Sequence, residues 1–193
     1  MRGGGPAQPD PPLVTPVKNS QLVISAIGQD RPGIVDRLTR AIFEHGLNIS
    51  DSRMSVLGGE FAIQMLVIGP WNGIAKLESA IHELESSLEL NIIARRTDIR
   101  PRSEKLLPYF VEVVALDNPG IVHHLANFFS QRNINIEELS TSSYAAPHTG
   151  TPMFTVNMEV GVPANIQISE LRDDFMGFCD TMNLDAVLEP VKN

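Results

Sequence analysis

One cysteine, Cys179, stands alone in 193 residues, so no disulfide can form within the chain. That usage fits a reducing compartment, and a cytoplasmic location is expected. No apolar run approaches the length of a membrane span. The first residues, Met1-Arg2-Gly3-Gly4-Gly5-Pro6, lack the apolar stretch of a signal peptide. Basic residues are too few to offset the acidic ones, 15 against 23, leaving a formal net charge of −8. A surface of that sign repels a phosphate backbone, so no direct nucleic-acid binding is expected. The recognised catalytic signatures are also missing. There is no G-x-S-x-G, no Walker loop and no dinucleotide fingerprint. Five histidines, His45, His82, His123, His124 and His148, show no metal-ligand spacing. No metal, cofactor or catalytic residue is therefore expected, and the chain reads as a non-enzyme.

Apolar residues make up 42% of the chain, enough to bury a core. An internal repeat organises them. Asp30-Arg31-Pro32-Gly33-Ile34-Val35 recurs as Asp117-Asn118-Pro119-Gly120-Ile121-Val122, an offset of 117 − 30 = 87. The same offset carries Asn48-Ile49 onto Asn135-Ile136. Phe61 and Met65 match Phe154 and Met158 at an offset of 93, which places about six extra residues within 141–150 of the second copy. At an offset of 94, Ile74, Leu77, Ile81, Leu84 and Leu88 match Ile168, Leu171, Phe175, Phe178 and Met182. The copies span 21–98 and 109–190. Residues 99–108, with two prolines and four charges, read as a linker, and residues 1–20, rich in Gly and Pro, as a disordered tail.

Each copy reads as βαββαβ. Leu22 to Ile27 has strand length, and Asp30-Arg31-Pro32-Gly33 breaks it. Ile34, Leu38, Ala41 and Ile42 then share one helix face, as do Ile121, Leu125, Phe128 and Phe129. Gly58-Gly59 between apolar runs predicts a hairpin. The apolar stripes of the second helices are too short for coiled-coil seams and read as core faces. Met54, Met65, Met153, Met158 and Met182 read as core filler, and Cys179 as buried and inert. The order predicts an α+β fold of two ferredoxin-like units, each a four-stranded antiparallel sheet with both helices on one face. Open sheets leave unpaired edges, which predicts a homodimer or an equivalent pairing of the two units.

The strongest chemical signal is Asp-x-Pro-Gly-Ile-Val at the first strand-to-helix turn. Pro presets φ, Gly lets a ligand approach the backbone, and the helix start offers free N–H groups to a carboxylate. A side chain at Gly33 or Gly120 would intrude on that space. Asp30 or Asp117 could cap the helix or receive an ammonium group. A free amino acid supplies both charges. The candidate ligand set is Asp30, Arg31, Pro32, Gly33, Ile34 and Asn48, with Asp117, Asn118, Pro119, Gly120, Ile121 and Asn135 in the second copy. Asn48 and Asn135 follow the first helix and either join the pocket or end the helix. The whole motif is equally a good turn sequence, and its repetition at one topological place favours binding.

This βαββαβ unit with Asp-x-Pro-Gly-Ile-Val at its first turn resembles the ACT domain family. Asn48-Ile49-Ser50-Asp51-Ser52-Arg53, Leu57-Gly58-Gly59-Glu60-Phe61 and Trp71-Asn72-Gly73-Ile74 carry the likeness further. So do Gln167 to Asp173 and Asn183 to Ala186. Together they resemble the tandem-ACT repressors of glycine cleavage genes, which lack a DNA-binding domain. The resemblance implies a small amino acid as ligand, glycine above all. It also implies a LysR-type transcriptional activator as partner, with glycine relieving the contact. ACT pairs also accompany amino-acid or folate-linked enzymes, so a regulatory subunit of such an enzyme is the alternative.

Overall fold

The computed structural model describes residues 19–98 and 106–191. The expected tail falls almost wholly outside them, as does the linker up to residue 105. The chain divides into two compact units, one ending at Arg100 and the other beginning at Pro101.

The first unit runs β1 (Ser20–Gln29), α1 (Ile34–Glu44), β2 (Asn48–Leu57), β3 (Glu60–Gly69), α2 (Trp71–Leu88) and β4 (Asn91–Thr97). The second runs β5 (Leu106–Leu116), α3 (Ile121–Ser130), β6 (Asn135–Ala145), β7 (Pro152–Pro163), α4 (Ile168–Thr181) and β8 (Asp185–Pro190). Both sheets are antiparallel, ordered β2-β3-β1-β4 and β6-β7-β5-β8. The fold is thus two ferredoxin-like βαββαβ units, as the repeat predicts.

Alternation builds each core. Leu22, Ile24 and Ala26 of β1 and Phe61, Ile63, Met65 and Val67 of β3 face inward. Ile34, Leu38 and Ile42 of α1 and Ile74, Leu77 and Leu88 of α2 close over them. In the second unit four aromatic rings fill the matching space, with Phe129 and Phe175 fully buried. The stripes on α2 and α4 are therefore core faces. Both copies carry a bulge at the same place in their edge strand, between Ile49 and Asp51 and between Ile136 and Glu138.

The hairpins differ. Gly58 and Gly59 take φ of 62° and 90°, the two left-handed residues that a tight β2–β3 turn needs. In the second unit Ala145 pairs with Pro152 across a longer loop. The six extra residues therefore lengthen each strand by one and the turn by four.

Two expectations need correction. Leu106, Leu107 and Pro108, read as linker, are paired in β5 with Pro163, Val162 and Gly161, because β7 continues that far. Met54, read as core filler, is 54% exposed, since it lies on the edge strand where neither helix covers it. Cys179 is fully buried, and burial in apolar surroundings, reinforced by the Asp180 carboxylate, pushes its thiol up to about 12. The native chain should therefore resist a thiol reagent such as DTNB at pH 8 and react only as the second unit unfolds. Rapid stoichiometric labelling of the native chain would contradict this burial.

Candidate functional site

Both copies of the motif form the same turn. β1 ends at Gln29, and the N–H of Asp30 donates to the Gly59 carbonyl at 3.0 Å, which ties the loop to the β2–β3 hairpin. In the second unit the N–H of Asp117 donates to the Pro152 carbonyl at 3.1 Å. Gly33 and Gly120 then occupy the N-cap positions of α1 and α3 with φ of 94° and 96°. That left-handed backbone is what requires glycine. A Cβ on Gly33 meets nothing within 4 Å, and one on Gly120 meets only the His124 ring at 3.5 Å. No protein backbone crowds either position, so within the unit the constraint on these glycines is conformational.

Neither helix has a side-chain cap. Asp30 and Asp117 do not cap them. The first intrahelical bonds run from Arg37 N–H to Gly33 O and from His124 N–H to Gly120 O, each 3.0 Å. The N–H groups of Ile34, Val35 and Asp36 precede the first, and those of Ile121, Val122 and His123 the second. They form a positive end with no intrahelical acceptor. Asp30, Pro32 and Gly33 are exposed beside it, as are Asp117, Asn118, Pro119 and Gly120. The Asp30 carboxylate makes no hydrogen bond among the described residues. The Asp117 carboxylate accepts a bond from the Ser143 hydroxyl at 3.4 Å.

Other members of the expected set do different work. Ile34 and Ile121 are 2% and 4% exposed and belong to the cores, so only their N–H groups face outward. Asn48 opposes Ile68, which opposes Gln21, whereas the loop leaves from the Gln29 end, where Glu60 and Leu57 lie. Eight residues at about 3.3 Å each separate the two ends by roughly 26 Å. Asn48 therefore cannot share a pocket with Asp30 in its own unit, because α1 returns the chain to the far end of the sheet before β2 begins. Asn135 is likewise at the far end from Asp117, and its amide donates to Glu137 at 2.7 Å. The Arg31 guanidinium is engaged at the end of α2, donating to Glu89 at 2.7 Å. Asn118 donates to Leu116 O at the end of β5, 3.4 Å away.

Residues 30–33 and 117–120 line none of three hollows, of about 160, 520 and 360 Å³, found among the described residues. No group of three or more His, Cys, Asp or Glu among the described residues could hold a metal. No helix among them is long and apolar enough to cross a membrane.

A family model for the ACT domain matches residues 20–94. Over 170 residues the chain is 32% identical to the glycine cleavage system transcriptional repressor of Escherichia coli (strain K12), covering 88% of this chain and 90% of that one. A crystal structure provisionally described as a glycine cleavage system transcriptional repressor superposes with a TM-score of 0.69. It is 27% identical and covers 91% of this chain and 99% of that chain. A protein from Galdieria sulphuraria superposes with a TM-score of 0.77 at 29% identity, over 91% of this chain and all of that one.

Proposed function

This chain belongs to the glycine cleavage system transcriptional repressor family, and on that premise we propose that it is a non-enzymatic, amino-acid-responsive regulator. The family relationship supports a regulatory role. The observation that carries the ligand reading is the pair of left-handed glycines at helix starts, each beside an exposed aspartate. The helix end suits a carboxylate and the aspartate an ammonium group, so the ligand is a small amino acid, with glycine first. The partner is a LysR-type transcriptional activator, touched by protein contact rather than through DNA. The net charge of −8 supports that route. The regulator works in the cytoplasm as a homodimer.

Calorimetry with a panel of free amino acids tests the ligand, and affinity capture with and without glycine tests the partner. Glycine should release heat on binding, and capture should recover a LysR-type activator that glycine displaces. Recovery of a metabolic enzyme subunit instead would overturn the activator reading. A mobility shift of DNA by the purified chain alone, at physiological salt, would overturn the route by protein contact.

A further inference from the structure

The two motif loops are alike in backbone and unlike in what holds them. In the first unit Arg31 reaches across 58 residues to the C-terminal end of α2. Its Nη1 donates to Glu89 Oε2 at 2.7 Å and its Nη2 to the Leu88 carbonyl. Arg37, one turn into α1, donates through Nη1 to the Ser87 carbonyl at 3.1 Å. A helix C-terminus gathers unpaired carbonyls and partial negative charge. The last turn of α2 has no basic residue of its own, and its C-cap, Glu89, adds an acid in the left-handed region at φ 51°. Two guanidinium groups from the loop and α1 therefore supply the charge that this helix end lacks.

The second unit has the same helix end without the clamp. The offset of 87 carries Arg31 onto Asn118 and Arg37 onto His124, and the offset of 94 carries Glu89 onto Asn183. Asn183 keeps the left-handed turn, with φ 54°. Asn118 bonds back to Leu116 at the end of β5, and His124 lies against Gly120. Both arginines and the glutamate are replaced together, while the backbone they would serve is retained.

We infer that Arg31 is a positioning residue, not a ligand contact: with Arg37 it locks the first loop to the end of α2, coupling ligand occupancy there to α2. The second loop has no such link. The inference rests on the ligand reading above. A clamp that favours the binding-competent loop must be favoured by the ligand in equal measure, because coupling between two equilibria is reciprocal. Glycine at the first loop should then tighten the end of α2, where Leu90 N–H bonds to Glu85 O and Ile92 N–H to Glu85 Oε1.

The test is glycine titration of the full chain, followed by calorimetry and by hydrogen exchange at the amides of 87–92. Glycine should slow exchange there in the wild-type chain. Arg31→Met should weaken glycine binding about 5- to 30-fold and abolish the slowing, and Arg31→Lys should recover part of both. A purely structural Arg31 would speed exchange equally with and without glycine, leaving affinity unchanged. That result would overturn this inference alone. A flat isotherm with the wild-type chain would overturn the ligand reading and this inference with it. Should Arg31→Met fail to fold, Glu89→Gln makes the same comparison, with a smaller loss expected.

Discussion

Phe175→Ala should unfold the second unit under conditions where the first stays folded. Phe175 is fully buried, with ring centroids 5.2 Å from Phe128 and 5.5 Å from Phe129. Truncating such a ring removes its transfer free energy and leaves a cavity, a loss of about 3–5 kcal/mol. That is a large share of what a domain of this size commands. The first unit fills the same place without aromatics. The positions matching Phe128, Phe129, Phe175 and Phe178 are Ala41, Ile42, Ile81 and Leu84. Ile81 only packs against the edge of its core, so Ile81→Ala should cost distinctly less. Urea unfolding followed by circular dichroism, with amide exchange assigning each transition to its unit, reads both variants. A Phe175→Ala midpoint equal to that of the wild-type chain would mean that the rings do not form the core.

The features legible in the sequence were those set by local periodicity. Ile74 to Leu88 at helical spacing, Gly58-Gly59 between apolar runs, and a motif repeated at one offset each fix a neighbour within a few residues. The positive φ of Gly58 and Gly59 was legible for the same reason, since a tight hairpin turn leaves few other choices, whereas Gly33 and Gly120 read as room for a ligand and their left-handed backbone emerged only in the structure. What was missed depends on where chain ends meet in space. Asn48 follows α1 closely in sequence, yet α1 spans the sheet and delivers it to the opposite end from Asp30. That consequence of the crossover was available from the element order. Ile34 was already on the apolar helix face by its spacing, and that face settles its role as core. Arg31 is different. Its partners at Leu88 and Glu89 are defined only once α2 packs beside α1, and no local pattern in the sequence announces them. Pro108 misled as a linker signal because a proline can sit in a strand wherever its missing N–H is not required. Here its carbonyl accepts from Val191 N–H at 3.1 Å.

Asp30→Ala should cost affinity without costing the fold, and this separates a ligand loop from a plain turn. The side chain is exposed, caps no helix and makes no hydrogen bond among the described residues. The loop is instead held by the backbone bond from Asp30 N–H to Gly59 O and by the left-handed Gly33. Neither depends on the carboxylate, so stability should change by no more than about 0.5 kcal/mol. If the carboxylate receives the ammonium group of the ligand, its removal deletes a charge-assisted hydrogen bond worth roughly 1.5–3 kcal/mol. Affinity for glycine should then fall by about one to two decades. Asp117→Ala is the paired comparison. Its carboxylate is already engaged by Ser143, weakly at 3.4 Å, and its loop carries Asn118 where the first carries Arg31. The smaller loss of affinity is therefore expected there. Calorimetry and thermal unfolding on both single variants and the double variant give the answer. Glycine binding unchanged in all three would make the two loops ordinary turns, and the amino-acid reading of this site would fall with them.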